Sequence, residues 1–274
     1  MPTPGLSLVG FITDQQQAIA HLSRACVPVN PDPAALHAEW DAAKAGLGVP
    51  IPKAGHPDIQ ALPAAHDAHV QQVLAHPMFA GPWHGATIQL VEIDPVLAYQ
   101  MTVDSNRSAH LAAGLSKPPT LDELVTCCLP LAPAPENFDV FPGLNSMVLK
   151  ARSLNVRAFQ GFWRTDALGI NFGVSIPLVH VVRYGGRCYL FNGYHRAVGV
   201  RRAGATHMPC VLRNVPDHNA VGMNPPDFFS ADRLAQPDPP TLGHFSQGRA
   251  YHVSLRVHSR ILHISWAEHA IPDE

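Results

Sequence analysis

No run of lysine and arginine appears in the 274-residue chain, and its formal net charge is −2. Binding driven by nucleic-acid phosphates needs clustered cations, so a broad DNA or RNA footprint is not expected. Charged residues make up only 15% of the chain and hydrophobic ones 46%. That is enough apolar side chain for a core, and it argues against wholesale disorder. No apolar stretch approaches about 18 residues, so no transmembrane helix is expected. Residues 1–17 lack a basic segment followed by a long apolar one, so the reading is a cytoplasmic chain without a signal peptide. The five cysteines are odd in number and form no Cys-x-x-Cys pair, which points to reduced thiols rather than a disulfide framework or a zinc knuckle. The nucleophile motif Gly-x-Ser-x-Gly, the Walker loop and Gly-x-Gly-x-x-Gly are all absent.

Proline, by contrast, is abundant. The 27 prolines are roughly twice an average share, and they cut the chain into short elements. Helices are expected from Asp14 to about Cys26, capped by Thr13, and from Pro33 to about Lys44, with Leu36, Trp40 and Ala43 on one face. A loop over 48–64 and a short helix over His66–His76 complete a helical N-terminal region, 1–80. His66 and His69 have a spacing that permits metal binding, but no third ligand completes a set. A strand is expected over Thr87–Asp94. A helix follows over Thr120–Cys128, with Thr120 and Glu123 as a capping box, and irregular structure over 129–147. Val156–Arg164 and Val174–Tyr184 read as strands. Gly185-Gly186 reads as a hairpin turn, with Cys188–Phe191 returning. Then come a helix over Tyr194–Ala203 and a strand over His207–Val215. Residues 216–249 read as a long proline-rich surface loop. Alternation from Tyr251 to Val257 and again from Leu262 to Trp266 predicts a terminal hairpin.

The chemistry concentrates at Asn192-Gly193-Tyr194-His195-Arg196. A strand enters Gly193 and a helix leaves it. The first turn of a helix has unpaired N–H groups and partial positive charge, which together make an anion site. Gly193 lets a ligand approach the backbone. Arg196 offers a planar fork suited to phosphate, His195 a donor or a charge, and Asn192 a cap or a donor. Glu92 and Asp94, at the end of the 87–94 strand, are candidates for a base or metal ligand. Asp104, Asn106 and Arg107 read more simply as a solvated turn, and Cys127-Cys128 as packing.

The run Val179–Arg196, followed by Ala197–Gly204 and Met208-Pro209-Cys210-Val211-Leu212, resembles the ParB/sulfiredoxin superfamily. Members of that family carry a strand, a turn and a second strand, and then Gly-x-His-Arg opens a helix. Leu90–Pro95 resembles more loosely the first strand of such domains, and Gln100 a polar position after it. The resemblance implies an α+β fold: a small mixed β-sheet of ParB/sulfiredoxin type, with a helical N-terminal region and a C-terminal β-hairpin. It divides the chain into 1–80, a core over 81–215 with an insertion at about 100–178, and 216–274. Relatives bind or hydrolyse nucleoside triphosphates, phosphorylate small molecules such as free serine, or cut nucleic acid. Two departures narrow this range. Asn192 stands where many members have Asp, and Asn cannot be a general base. Tyr194 stands where sulfiredoxins have their reactive cysteine. Gly-Glu-Arg-Arg and a following helix-turn-helix are also missing, so sulfinic-acid repair and chromosome partitioning are set aside.

The expectation is a nucleotide-binding protein that hydrolyses or transfers a phosphoryl group. ATP, ADP or CTP, with Mg²⁺, would lie at Asn192–Arg196, and His195, Glu92 and Asp94 would be the chemical residues. One alternative is a non-catalytic nucleotide or anion switch that docks a protein partner. The other is a nuclease on the same scaffold.

Overall fold

A computed structural model describes residues 2–28, 30–80, 83–133, 137–151, 156–164, 167–217, 228–267 and 269. For residues 80, 157–164, 167 and 168 it describes the backbone alone. The chain is mixed α+β and divides into two units, 1–131 with 177–256, and 132–176 with 257–274.

The first unit opens with β1 (Thr3–Ser7), then α1 (Gln15–Ala25) and α2 (Pro33–Ala45). The cap of α1 is Asp14, whose carboxylate accepts the Gln17 N–H at 2.8 Å, and not the expected Thr13. In α2, Leu36, Trp40 and Ala43 are buried together, as their spacing predicts. The loop expected over 48–64 contains a short strand, β2 (Ile59–Ala61), paired to β3 (Thr87–Glu92). Helix α3 (Asp67–Leu74) lies between them. His66 and His69 are engaged separately, His66 with Asp122 at 3.6 Å and His69 with the Leu129 carbonyl at 2.7 Å.

Strand β4 (Thr102–Asp104) runs directly into α4 (Ser105–Ala113), and α5 (Leu121–Cys128) follows. The Thr120–Glu123 capping box of α5 is present as expected. After the second unit's segment come β9 (His180–Tyr184), the Gly185-Gly186 turn, β10 (Arg187–Asn192), α6 (Tyr194–Arg202) and β11 (His207–Asn214). The five-stranded sheet has the order β10-β9-β11-β3-β2. Only β9 and β11 run parallel; the other pairs are antiparallel, so the sheet is mixed. Its centre is apolar: Val91, Val181, Leu190 and Val211 are fully buried.

Two expectations fail at the C-terminal end. The described part of 216–249 carries two short helices, α7 (Ala231–Ala235) and α8 (Leu242–Ser246). Leu242 and Phe245 are among the most deeply buried side chains, so this stretch belongs to the core and is not a surface loop. Prolines at 237, 239 and 240 set short elements there, not exposure. The terminal hairpin is also absent. Strand β12 (Tyr251–Leu255) pairs antiparallel with β1, in a three-stranded sheet of order β12-β1-β4. Strand β13 (Arg260–Ser265) pairs instead with β6 (Ser146–Ala151). Alternation marks a strand with one covered face, but it does not name the partner.

The second unit holds the sheet β13-β6-β5, with β5 (Asp139–Pro142) inside the stretch read as irregular, and the pair β7 (Val156–Arg164) and β8 (Ala167–Val174). The expected Val174–Tyr184 strand is thus two strands, β8 and β9, interrupted at 175–179.

Candidate functional site

Gly193 makes the turn from β10 to α6 with φ 98°, a left-handed conformation that suits glycine. A Cβ here would lie 2.9 Å from the Val179 Cα. The space that the sequence reading gave to a ligand is therefore filled by Val179, and the glycine is needed for packing. Gly193 itself is the N-cap, with no side-chain bond, so Asn192 does not cap. It ends β10, opposite His180.

The bonding of α6 begins with the Ala197 N–H to the Gly193 carbonyl, 2.9 Å. The N–H groups of Tyr194, His195 and Arg196 have no partner among the described residues, as the first turn of a helix dictates. The Tyr194 ring is buried. Its hydroxyl accepts the N–H groups of Tyr99 and Gln100 at 3.0 and 3.1 Å, and donates to the Leu190 carbonyl at 2.9 Å. Tyr194 thus clamps the 99–100 segment to β10, and only its main-chain N–H is left for a ligand.

His195 accepts the Asp104 N–H on Nε2 at 3.3 Å, which leaves Nδ1 as the donor. Burial, helped by the Arg107 charge, lowers its pKa to about 4. The ring is neutral at pH 7. It is a hydrogen-bond donor, and not the second positive charge that the sequence reading assigned. Arg196 donates from Nε to the Cys127 carbonyl at 2.8 Å. Its two terminal nitrogens have no partner among the described residues. Arg107 is exposed, yet it lies close enough to depress the pKa of both His195 and Arg196.

Arg107 and Asp104 come to this place because α4 packs closely against α6. A Cβ on Gly199 of α6 would lie 2.9 Å from the Ser108 carbonyl of α4, and the buried α4 residues facing inward are the small Ser108 and Ala112. Asp104 caps α4. Its Oδ1 accepts the Arg107 N–H at 3.0 Å and its Oδ2 the Thr3 hydroxyl at 3.2 Å. At the end of α5, Cys127 is half-buried. A hydrogen bond from Cys128, aided by the Arg196 charge, brings its pKa down to about 7.

Glu92 and Asp94 do not join this group. In the row of the sheet that contains Asn192, the β3 residue is Ile88, reached through His180 and Val211. Glu92 is four residues further along, about 13 Å, and three strands across, about 14 Å. It accepts the Asp58 N–H at 3.0 Å. Asp94 is ion-paired with Arg201 at 2.8 Å, seven residues into α6 and so about 10 Å along the helix axis from the turn. Both end a strand, but two strands lie between that strand and β10, and it runs four residues past the Asn192 row. The residues that sequence reasoning undervalued are Asp104 and Arg107. The available signal was Asp104 as an N-cap, which fixes Arg107 in the first turn of a helix.

Comparison with protein-family models, with curated proteins and with solved structures gives no match for this chain.

Proposed function

We propose that the chain binds a phosphorylated small molecule, a nucleotide in the first instance, at the N-terminus of α6. The observation that carries this reading is the first turn of α6, where three helix N–H groups and the terminal nitrogens of Arg196 have no partner among the described residues, with the start of α4 alongside at His195. Phosphate oxygens accept hydrogen bonds from such N–H groups and from guanidinium forks. The neutral His195 adds a donor at Nδ1. The sequence resemblance to the ParB/sulfiredoxin superfamily supports the same ligand class.

The geometry favours binding over turnover. The carboxylate beside the turn is Asp104, and both of its oxygens already accept hydrogen bonds. A general base must reach the nucleophile, and these bonds hold the Asp104 carboxylate at the start of α4 as its cap. Among the described residues no group of three His, Cys, Asp or Glu side chains could hold a metal ion. Mg²⁺ would then arrive on the nucleotide's own phosphates. The reading is the non-catalytic switch rather than the phosphotransferase.

Calorimetric titration with ATP, ADP, CTP and GTP, each with Mg²⁺, and with inorganic phosphate, tests this reading. Arg196→Ala removes a charged hydrogen-bond donor and is expected to weaken binding roughly ten-fold or more. Arg107→Ala, at an exposed position, is expected to weaken it by less. Parallel assays should show no phosphate release. Sustained release by the parent would restore the enzyme reading, and no binding by any of the five ligands would end the phosphate one.

A further inference from the structure

Asp58, Glu92 and His207 lie in one row across three neighbouring strands. His207 opens β11 opposite Glu92, which ends β3. Ile59 of β2 pairs with Val91, so Asp58, one residue earlier, also stands beside Glu92. Two bonds hold it there. The Glu92 N–H donates to the Asp58 carbonyl at 2.9 Å, and the Asp58 N–H donates to Glu92 Oε2 at 3.0 Å. The preceding residue of the β11 segment, Thr206, is fixed by the Ile93 N–H, which donates to its carbonyl at 2.9 Å.

The side chains at this row form a relay. Asp58 Oδ2 lies 3.3 Å from His207 Nε2, and the Gln60 amide nitrogen donates to the same oxygen at 2.6 Å. The two nitrogens, 3.3 Å apart, share one acceptor. A carboxylate only accepts, so Nε2 carries the proton and Nδ1 is left as an acceptor. The Thr206 hydroxyl stands 3.0 Å from Nδ1 and donates to it. Hydroxyl, imidazole and carboxylate thus follow one another, the order that activates an oxygen nucleophile. Thr206 is exposed, so its oxygen is open to a substrate. Its own main-chain N–H has no partner among the described residues, which leaves a donor for a developing oxyanion.

Thr206 and His207 also line a cavity of about 290 Å³, at the small end of the range of small-molecule sites. Its apolar wall comes from Leu90, Pro119, Leu121 and Leu124. We propose that this cavity hydrolyses short-chain carboxylic esters, with Thr206 as nucleophile, His207 as base and Asp58 as the positioning residue. Thr206 Oγ1 bonds to the acyl carbon while its proton passes to His207 Nδ1. Collapse of the tetrahedral adduct breaks the ester bond, and the departing alcohol takes that proton. Water then attacks the acyl-threonine by the same route, which releases the carboxylic acid and restores the hydroxyl. The acyl chain lies against the leucine wall. This site is separate from the α6 turn and does not rest on the phosphate reading.

Hydrolysis of p-nitrophenyl butyrate by the full chain tests it, with acid-quenched samples mapped by mass spectrometry for a butyryl group. The chain has 17 histidines, and imidazole alone hydrolyses such esters slowly, so the variants decide. Thr206→Val and His207→Gln should each lower turnover roughly a hundred-fold or more, while Thr206→Ser keeps the hydroxyl and the activity. Asp58→Asn no longer fixes the tautomer and should lower kcat with KM unchanged. The butyryl group should be found on Thr206. Turnover by Thr206→Val equal to that of the parent would overturn the proposal. So would a parent no faster than free imidazole, or a butyryl group on another residue. The Thr206 variants decide even if His207→Gln does not fold, because Thr206 is exposed.

Discussion

Arg201 holds Asp94 through two hydrogen bonds, Nε to Oδ1 at 2.8 Å and a terminal nitrogen to Oδ2 at 2.9 Å. Gln247 adds a third at 2.9 Å. Burial disfavours the carboxylate, but these partners outweigh it and hold the pKa below its usual value. The pair ties the second half of α6 to the end of β3 and to the chain after α8. Asp94→Ala leaves Arg201 part-buried without its counter-ion, and a loss of about 3 kcal/mol is expected in urea unfolding. Nucleotide affinity of the folded variant should be unchanged. A large affinity loss would mean that Asp94 serves the phosphate site after all.

Gly199 tests the crossing that brings α4 to the site. Helix propensity alone predicts that Gly199→Ala stabilises by about 1 kcal/mol. The new Cβ, however, would lie 2.9 Å from the Ser108 carbonyl and 3.1 Å from the Leu111 Cβ. Backbone cannot yield as a flexible side chain does, so α4 must shift. A net loss of about 1–2 kcal/mol is expected, with weaker nucleotide binding as Arg107 moves away. A thermal midpoint above that of the parent would show that the helices have room.

Much of this was legible in the sequence, for identifiable reasons. The Gly185-Gly186 hairpin, the Thr120–Glu123 box and the Leu36–Trp40–Ala43 face are local patterns, and local patterns fix local structure. The turn at Gly193 was found for the same reason. Pairing between distant segments was not legible. Nothing in Tyr251–Leu255 states that its neighbour is Thr3–Ser7, and nothing in Thr87–Glu92 states that two strands lie between it and Asn192. The site's second arginine was hidden likewise, because Arg107 reaches it through a helix crossing. Polarity also misled: proline-rich spacing around Leu242 and Phe245 read as surface, although the apolar residues between the prolines are core.

The state of His195 reports directly on the charges around it. Burial and the Arg107 charge both lower its pKa, now about 4. Arg107→Ala removes one of these causes, so the pKa should rise. Inorganic phosphate at the turn would stabilise the imidazolium, so it should raise the pKa in the parent as well. The ring C–H resonance, followed by NMR from pH 7 to 3.5, measures both effects. A midpoint that phosphate leaves in place would put any bound phosphate elsewhere.

Stability should fall with acid well above the carboxylate range. The pKa of His180 is lowered to about 3, and those of His195 and His244 to about 4, burial being the first cause in each. All lie below the value of about 6.5 for an exposed imidazole. Above that value the folded and unfolded chains are both neutral at these positions, and the full stability is present. As pH falls, the unfolded chain takes up protons that the folded chain refuses, so stability declines until the folded pKa values are reached. Each group contributes at most about 1.4 kcal/mol per pH unit, so three contribute up to about 4. His180 gives the sharpest control. Its ring lies 4.1 Å from that of Trp83, and its buried Nε2 has no hydrogen-bond partner among the described residues. His180→Phe keeps an aromatic ring there and removes the proton. Urea unfolding at pH 7.5, 6.5 and 5.5 should show the pH slope reduced by about a third, with stability at pH 7.5 raised by about 1 kcal/mol as the unsatisfied nitrogen is lost. An unchanged slope would mean that His180 is open to solvent in the folded chain.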